Sequence, residues 1–396
     1  MRRISFLLII YCFTISCSRN TQHEEEKPVS SASEDELVVA PGKSAMRLLT
    51  DRPPNLETPL KYFLLDYTPN DVFFVRWHMS NLPPEISEDT FRLRIGGDVK
   101  HTLELSLKDL KTKFKPVSMV ALAQCAGNSR SFNDPYVPGG QWKNGAMGNA
   151  KWTGVRLSDL LNEAGLNKNA FDISFNGIDD PPLPGTPDFV KSLRAAKAMD
   201  PEVFVAYEMN GKPLPLLNGY PLKLIVPGWY ATYWIGMLNQ ITVHPDTFGG
   251  YWMKKSYLIP KNNRDANEQK DSLSKDMEPI NKMNVRSLFV TPEPDSIISS
   301  GSPIEIQGLA FDGGDGINKV ELSEDNGKIW KEAKLDPEIG KYSWRRWRYS
   351  WKPLAAGSYS FKVKATNILG ETQPEHHWNR SGYMRNEIEE LKLEVK

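Results

Sequence analysis

The sequence predicts an α+β chain, with a mixed domain of strands and short helices followed by an all-β sandwich. Three observations carry this. The 396 residues include 11 Trp, 29 Pro and 28 Gly, a turn-rich composition that suits strands better than a helical bundle. In the first part Leu157, Leu160, Leu161 and Ala164 recur at helical spacing on one face, and Gly165 closes the segment. After a polar, unpatterned stretch over residues 260–279 the apolar period becomes two.

Taken in order, Arg2 and Arg3 precede an apolar run over 4–15, too short to span a bilayer comfortably, and then the small residues Ser16, Cys17 and Ser18. Residues 1–17 read as a secretory signal, so a periplasmic location is expected. The segment "FTISC" resembles a bacterial lipoprotein processing site with Cys17 lipidated, which would anchor the chain to a membrane. Ordinary cleavage nearby is the other reading, and the paired arginines leave the twin-arginine and general export routes both open. Residues 18–49, with "EEEKPVSSASEDE", read as a flexible polar tether. The first domain is expected over 50–262, where "LKLIVPG" at 222–228 reads as a strand ending at a turn.

The second domain is expected over 280–396. Ile304 and Ile306, Val320 and Leu322, Tyr359, Phe361 and Val363, and Leu391, Leu393 and Val395 mark alternating strands, and Asn326-Gly327 marks a hairpin turn. Lys plus Arg and Asp plus Glu number 49 each, so the formal net charge is zero. Without a basic excess, no nucleic-acid partner is expected.

Signal cleavage removes Cys12, leaving Cys125 as the one thiol after Cys17. An intrachain disulfide framework is therefore excluded. A lone cysteine is often a small core residue. Here "QCAGNSRSF" makes a poor core strand, and Arg130 nearby favours the thiolate. A cysteine hydrolase would need a histidine base, but none of His23, His78, His101, His244, His376 and His377 carries a selecting signature. There is no paired Cys or HxxxH for zinc, and no CxxCH for a haem. One soft thiolate also suits a metal delivered by an organic cofactor.

Five motifs occur in register: "FFVRWHMSNLP", "CAGNSR", "GGQWKNGAMGNAKWTGVRLSDLL", "YEMNGKPLP" and "VPGWYATYW". With "WRRW" and "HHWNRSGYMRNEIEELKLEV" in the second domain, the chain from about residue 50 onward resembles the sulfite oxidase family of molybdopterin enzymes, especially its bacterial periplasmic dehydrogenases. The resemblance implies a molybdopterin-binding sulfite oxidase fold followed by an immunoglobulin-like dimerisation domain, hence a homodimer. It implies one molybdenum-molybdopterin per chain, with Cys125 as the protein ligand to the metal, and the missing haem motif leaves no haem expected. Arg76, Arg130, Trp142, Tyr257 and Arg345 match the sites that hold sulfite or a similar small oxyanion. Planar, permanently charged guanidinium forks suit such an anion.

His78 is implied to face the pterin, and Lys223 and Asn218 to lie at the cofactor's phosphate. Asn218 stands where a phosphate-binding His is common in the family, and Gly236-Met237 where many relatives have Lys-Trp. The implied activity is two-electron oxidation of sulfite to sulfate, with electrons leaving to a c-type cytochrome. The alternatives are a molybdenum reductase acting on a sulfoxide or N-oxide, and a cofactor-free binding lipoprotein.

Overall fold

The computed structural model describes residues 37–261 and 266–396. The signal over 1–17, Cys17 and the tether up to residue 36 lie outside the described residues. The expected tether to residue 49 needs correction, because Leu37–Val39 and Ala45–Thr50 are strands. They pair with each other and then with Asn55–Glu57 and Val75–Arg76 in one four-stranded sheet. Met46 and Leu48 provide the reason, since they pack on Leu56, Val75, Trp77 and Met237 in a small apolar cluster.

The first domain holds two further sheets. One runs Lys191–Arg194, Asp172–Gly177, Leu238–His244, Leu93–Gly97 and Leu103–Leu105, with one parallel pair, Leu238–His244 on Leu93–Gly97. The other centres on the long hairpin of Pro116–Gln124 and Met147–Arg156, extended by Phe204–Met209. Helices are few. Leu107–Lys113 starts at a reciprocal cap between Ser106 and Asp109. Leu157–Ala164 buries the four predicted apolar residues and ends at Gly165, whose φ of 71° is left-handed. The strand expected over 222–228 is Lys223–Ile225.

The second domain is the expected sandwich. One sheet runs Arg286–Thr291, Ile304–Phe311, Arg345–Trp351 and Lys334–Leu335. The other runs Ile297–Ile298, Glu389–Val395, Gly357–Asn367, Ile317–Ser323 and Lys331–Glu332. Asn326 and Gly327 both have positive φ, as the hairpin turn requires.

The polar stretch over 260–279 is not a bare linker. Leu258–Pro260 pairs with Met277–Pro279, and buried Glu268 binds the Arg380 guanidinium. The sandwich has a core of its own, around Trp347, Phe361 and Leu391, but it also shares a second one with the first domain. Leu288, Leu309, Phe311, Trp344 and Met384 pack in the same apolar cluster as Leu122, Trp152 and Leu224. Two backbone hydrogen bonds, Leu122 N to Tyr342 O at 2.8 Å and Met384 N to Ala126 O at 2.9 Å, tie the sandwich to the strand and loop around Cys125.

Candidate active site

Cys125 follows the last residue of Pro116–Gln124, where the strand breaks into a loop. The loop is held rigidly. Cys125 N donates to Ala146 O at 2.9 Å, Asn128 N to Cys125 O at 3.0 Å, and Ala146 N to Asn128 Oδ1 at 2.9 Å. Ser129 takes a left-handed φ of 68°, and its hydroxyl accepts a hydrogen bond at 2.7 Å from Arg286, a buried side chain of the sandwich. Cys125 is a free cysteine, 7% exposed. It packs at the edge of the apolar core and at the same time lines two cavities.

The deep cavity is lined by Phe73, Phe74, Trp152, Asn218, Lys223 and Thr232, among others. The outer cavity is lined by Asn55, Arg130, Trp142, Trp252, Ser381 and Tyr383, among others. Arg76, His78, Cys125 and Tyr257 line both. The structure thus places eight of the nine candidate residues, Cys125 included, on the walls of these two cavities.

Arg345 is the exception. Its guanidinium donates to Asp336 O at 2.6 Å and Ile317 O at 3.1 Å inside the sandwich, and it lines neither cavity. Its neighbour Arg346 is spent on Leu64 O and an ion pair with Asp66. The sandwich reaches the site instead through Ser381 and Tyr383, which periodicity could not have flagged because they lie in a loop.

Arg130 is clamped. Nε and Nη2 donate to Ser381 O at 3.2 and 3.0 Å, Nη1 donates to Gly140 O at 3.2 Å, and the guanidinium lies 5.1 Å from the centre of the Tyr383 ring. A Cβ on Gly127 or Gly139 would approach Nη1 to 2.8 or 2.9 Å, so glycine is needed at both places. These bonds use three of the five N–H groups and leave one on each terminal nitrogen. Arg76 rests its Nη1 on Asn55 Oδ1 and Trp77 O. The Trp142 indole is buried against Gly140.

His78 Nε2 is hydrogen-bonded to the Tyr257 hydroxyl, and its ring stacks on Phe189 with centroids 3.5 Å apart. Burial, aided by the charges of Arg76 and Lys191, holds the imidazole pKa well below its usual range. Burial pushes the Tyr257 phenol up, so both groups are neutral at pH 7. Tyr257 has a φ of 55°, a strained conformation for a bulky residue that costs about 1–3 kcal/mol. Tyr383 stacks on its ring at 5.1 Å.

The deep cavity fits a polar, anionic organic group. Thr232 Oγ1 is buried without a hydrogen-bond partner. Lys223 lines the wall, its pKa lowered to about 8 by burial against the attraction of Asp179. Asp179, buried on the same wall, is pushed up to about 7, chiefly by burial. Its ordinary value is 3.8, so between pH 4 and 7 the folded chain holds a proton that the unfolded chain has released. Stability from this group is complete below pH 4 and is lost as pH rises through 7. Asp179→Asn in the cofactor-free protein is therefore expected to melt progressively higher than the parent from pH 4 to 7. Melting curves at several pH values check this, and parallel profiles would contradict it.

Among the described residues, no group of three or more His, Cys, Asp or Glu side chains could hold a metal by itself. A metal at Cys125 would depend on ligands from an organic partner.

Residues 79–252 match the oxidoreductase molybdopterin binding domain, and residues 277–395 match the Mo-co oxidoreductase dimerisation domain. Mitochondrial sulfite oxidase of Macaca fascicularis is 34% identical over 361 residues, 86% of this chain and 64% of that protein. The chain thus spans somewhat under two thirds of that relative's length. A nitrate reductase of Hordeum vulgare is 30% identical over 88% of this chain and 42% of its own. In fold, the chain is similar to the sulfane dehydrogenase SoxCD of Paracoccus pantotrophus, with a TM-score of 0.74 over 86% of this chain and 84% of that one, at 24% identity.

Proposed function

Because this chain belongs to the sulfite oxidase family of molybdopterin oxidoreductases, we propose that it oxidises sulfite to sulfate and passes the electrons to an external c-type cytochrome. The observation that carries the reading is the position of Cys125 between a deep cavity lined by Asn218, Lys223 and Thr232 and an outer cavity walled by Arg76 and Arg130. Cys125, His78, Thr232, Asn218 and Lys223 are the residues that would hold the cofactor. When bound, the molybdenum centre supplies the oxygen-atom and two-electron chemistry.

The chain's own residues bind and orient the anion. The free N–H groups of Arg130 and those of Arg76 attract it, and charge-assisted bonds of this kind are about twice as strong as neutral ones. With the imidazole proton on Nε2, His78 donates to the Tyr257 oxygen and leaves the phenolic proton free to donate to the substrate. The Trp142 and Tyr383 rings line the outer cavity beside the arginines.

The similarity to a nitrate reductase supports a second reading, reduction of a sulfoxide, an N-oxide or another oxygen-bearing substrate in the same pocket. Two measurements separate the readings. Bound molybdenum with sulfite-dependent reduction of cytochrome c or ferricyanide supports the first. Molybdenum with only viologen-driven reduction of a sulfoxide or N-oxide supports the second. A protein without molybdenum would be the cofactor-free binding lipoprotein.

The homodimer belongs to the same proposal, since residues 277–395 match a dimerisation domain. Light scattering on a chain beginning at residue 37 should give twice the monomer mass at micromolar concentration, and a monomer would remove the dimer while leaving the molybdenum reading intact. The segment before residue 37 would place the enzyme in the periplasm. Mass spectrometry of the mature N-terminus distinguishes a lipid on Cys17 from ordinary cleavage.

A further inference from the structure

At two places in the deep cavity this sequence lacks a cation that the family resemblance would supply. One is Gly236, and the structure leaves no room to restore it. A Cβ there would lie 2.9 Å from Gly219 Cα and 3.2 Å from the Trp77 ring. The other is Asn218, a neutral amide with one Nδ2 hydrogen spent on Phe74 O at 3.0 Å.

A cation arrives from elsewhere. Lys43 lies in the turn between the strands Leu37–Val39 and Ala45–Thr50, in the region that the sequence reads as tether. It is 5% exposed. Its ammonium donates to Asn70 O at 2.8 Å, Phe73 O at 3.0 Å and Asn218 Oδ1 at 2.5 Å. Phe73 and Asn218 line the deep cavity, so Lys43 stands directly behind its wall.

These three oxygens satisfy the donors but do not neutralise the charge. Asp71 attracts the ammonium from a distance, while its carboxylate accepts from the Ser44 hydroxyl at 2.5 Å. Among the described residues no carboxylate forms an ion pair with Lys43. The Lys223 cation is near enough to repel it, and burial with that repulsion lowers the Lys43 pKa to about 7. Lys43 is attracted only by Asp71, and Lys223 by Asp179, whose own carboxyl burial drives toward its neutral form. A charge buried in this way is costly unless an opposite charge joins it. The arrangement suits a bound anion.

We propose that Lys43 is a positioning residue for the anionic phosphate end of the cofactor, fixing Asn218 and, with Lys223, supplying the positive charge missing at positions 218 and 236. The inference rests on the molybdopterin reading above. It makes the N-terminal strands part of cofactor retention, because they carry Lys43 to the wall.

The test compares wild type with Lys43→Gln, which keeps a hydrogen-bond donor without charge, and Lys43→Arg, which keeps the charge. Molybdenum and pterin per chain are measured after dialysis. Lys43→Gln should retain about 10- to 100-fold less cofactor, the range for outer-shell partners, and Lys43→Arg should restore much of it. In parallel, inorganic phosphate is added to the cofactor-free proteins. It should raise the melting temperature of wild type and Lys43→Arg but not of Lys43→Gln, a difference that a purely structural role would not produce. Full cofactor in Lys43→Gln, or an equal phosphate shift in all three, would overturn the proposal. Wild type free of molybdenum would instead remove the parent reading, and the phosphate shifts would then decide the role of Lys43 alone.

Discussion

Cys125→Ser is expected to abolish sulfite turnover, with a loss beyond the ~10–100-fold typical of outer-shell partners of a metal site. A hard alcohol oxygen would replace a soft thiolate at the junction of the two cavities. The fold should persist, because Ser is close to Cys in size and the loop's hydrogen bonds involve the backbone of residue 125, not its sulfur. Circular dichroism and the melting temperature of the cofactor-free variant check the fold, and steady-state kinetics check turnover. A merely packed cysteine would give a small stability change and normal kinetics.

Arg130→Gln is expected to lower kcat/KM for sulfite by roughly 10- to 150-fold. The figure follows from losing one charge-assisted interaction worth about 1.5–3 kcal/mol. Most of the effect should fall on KM, because Arg130 lies on the outer cavity and not on the deep one. Gln can still reach one carbonyl, but it cannot keep both Ser381 O and Gly140 O while donating to an anion. Arg76→Gln should behave similarly. Unchanged sulfite kinetics in both variants would move the anion site elsewhere.

The parts of this site that were readable in sequence are those whose residue types are chemically conspicuous. Cys125 stood out because it was a lone thiol among donors, and Arg76, Arg130, Trp142 and Tyr257 because they lay in motifs. The sandwich was readable because a period of two survives wherever one sheet face is buried, as at Leu391, Leu393 and Val395. Arg345 misled because its motif places two arginines in a row on a strand, where Arg345 is spent on sandwich carbonyls and Arg346 on Asp336 of the sandwich and Leu64 O and Asp66 of the first domain.

Other features were illegible because they depend on contacts distant in sequence. Ser381 and Tyr383 reach Arg130 across about 250 residues, in a loop without periodicity. Lys43 lies beside an acidic, unpatterned run and meets Asn218 across 175 residues. The apolar alternation of its strands is too short to separate from a tether, so only packing against Leu56 and Trp77 reveals it. Burial of Glu268 against Arg380 likewise hides inside a stretch whose composition reads as linker.

We propose that the Cys125 sulfur binds molybdenum. X-ray absorption at the molybdenum edge tests it most directly, on wild type and on Cys125→Ser loaded with cofactor. A cysteine ligand would add one sulfur to whatever the pterin supplies, so wild type is expected to show one more sulfur neighbour than the variant. The same sulfur count in both proteins would contradict it.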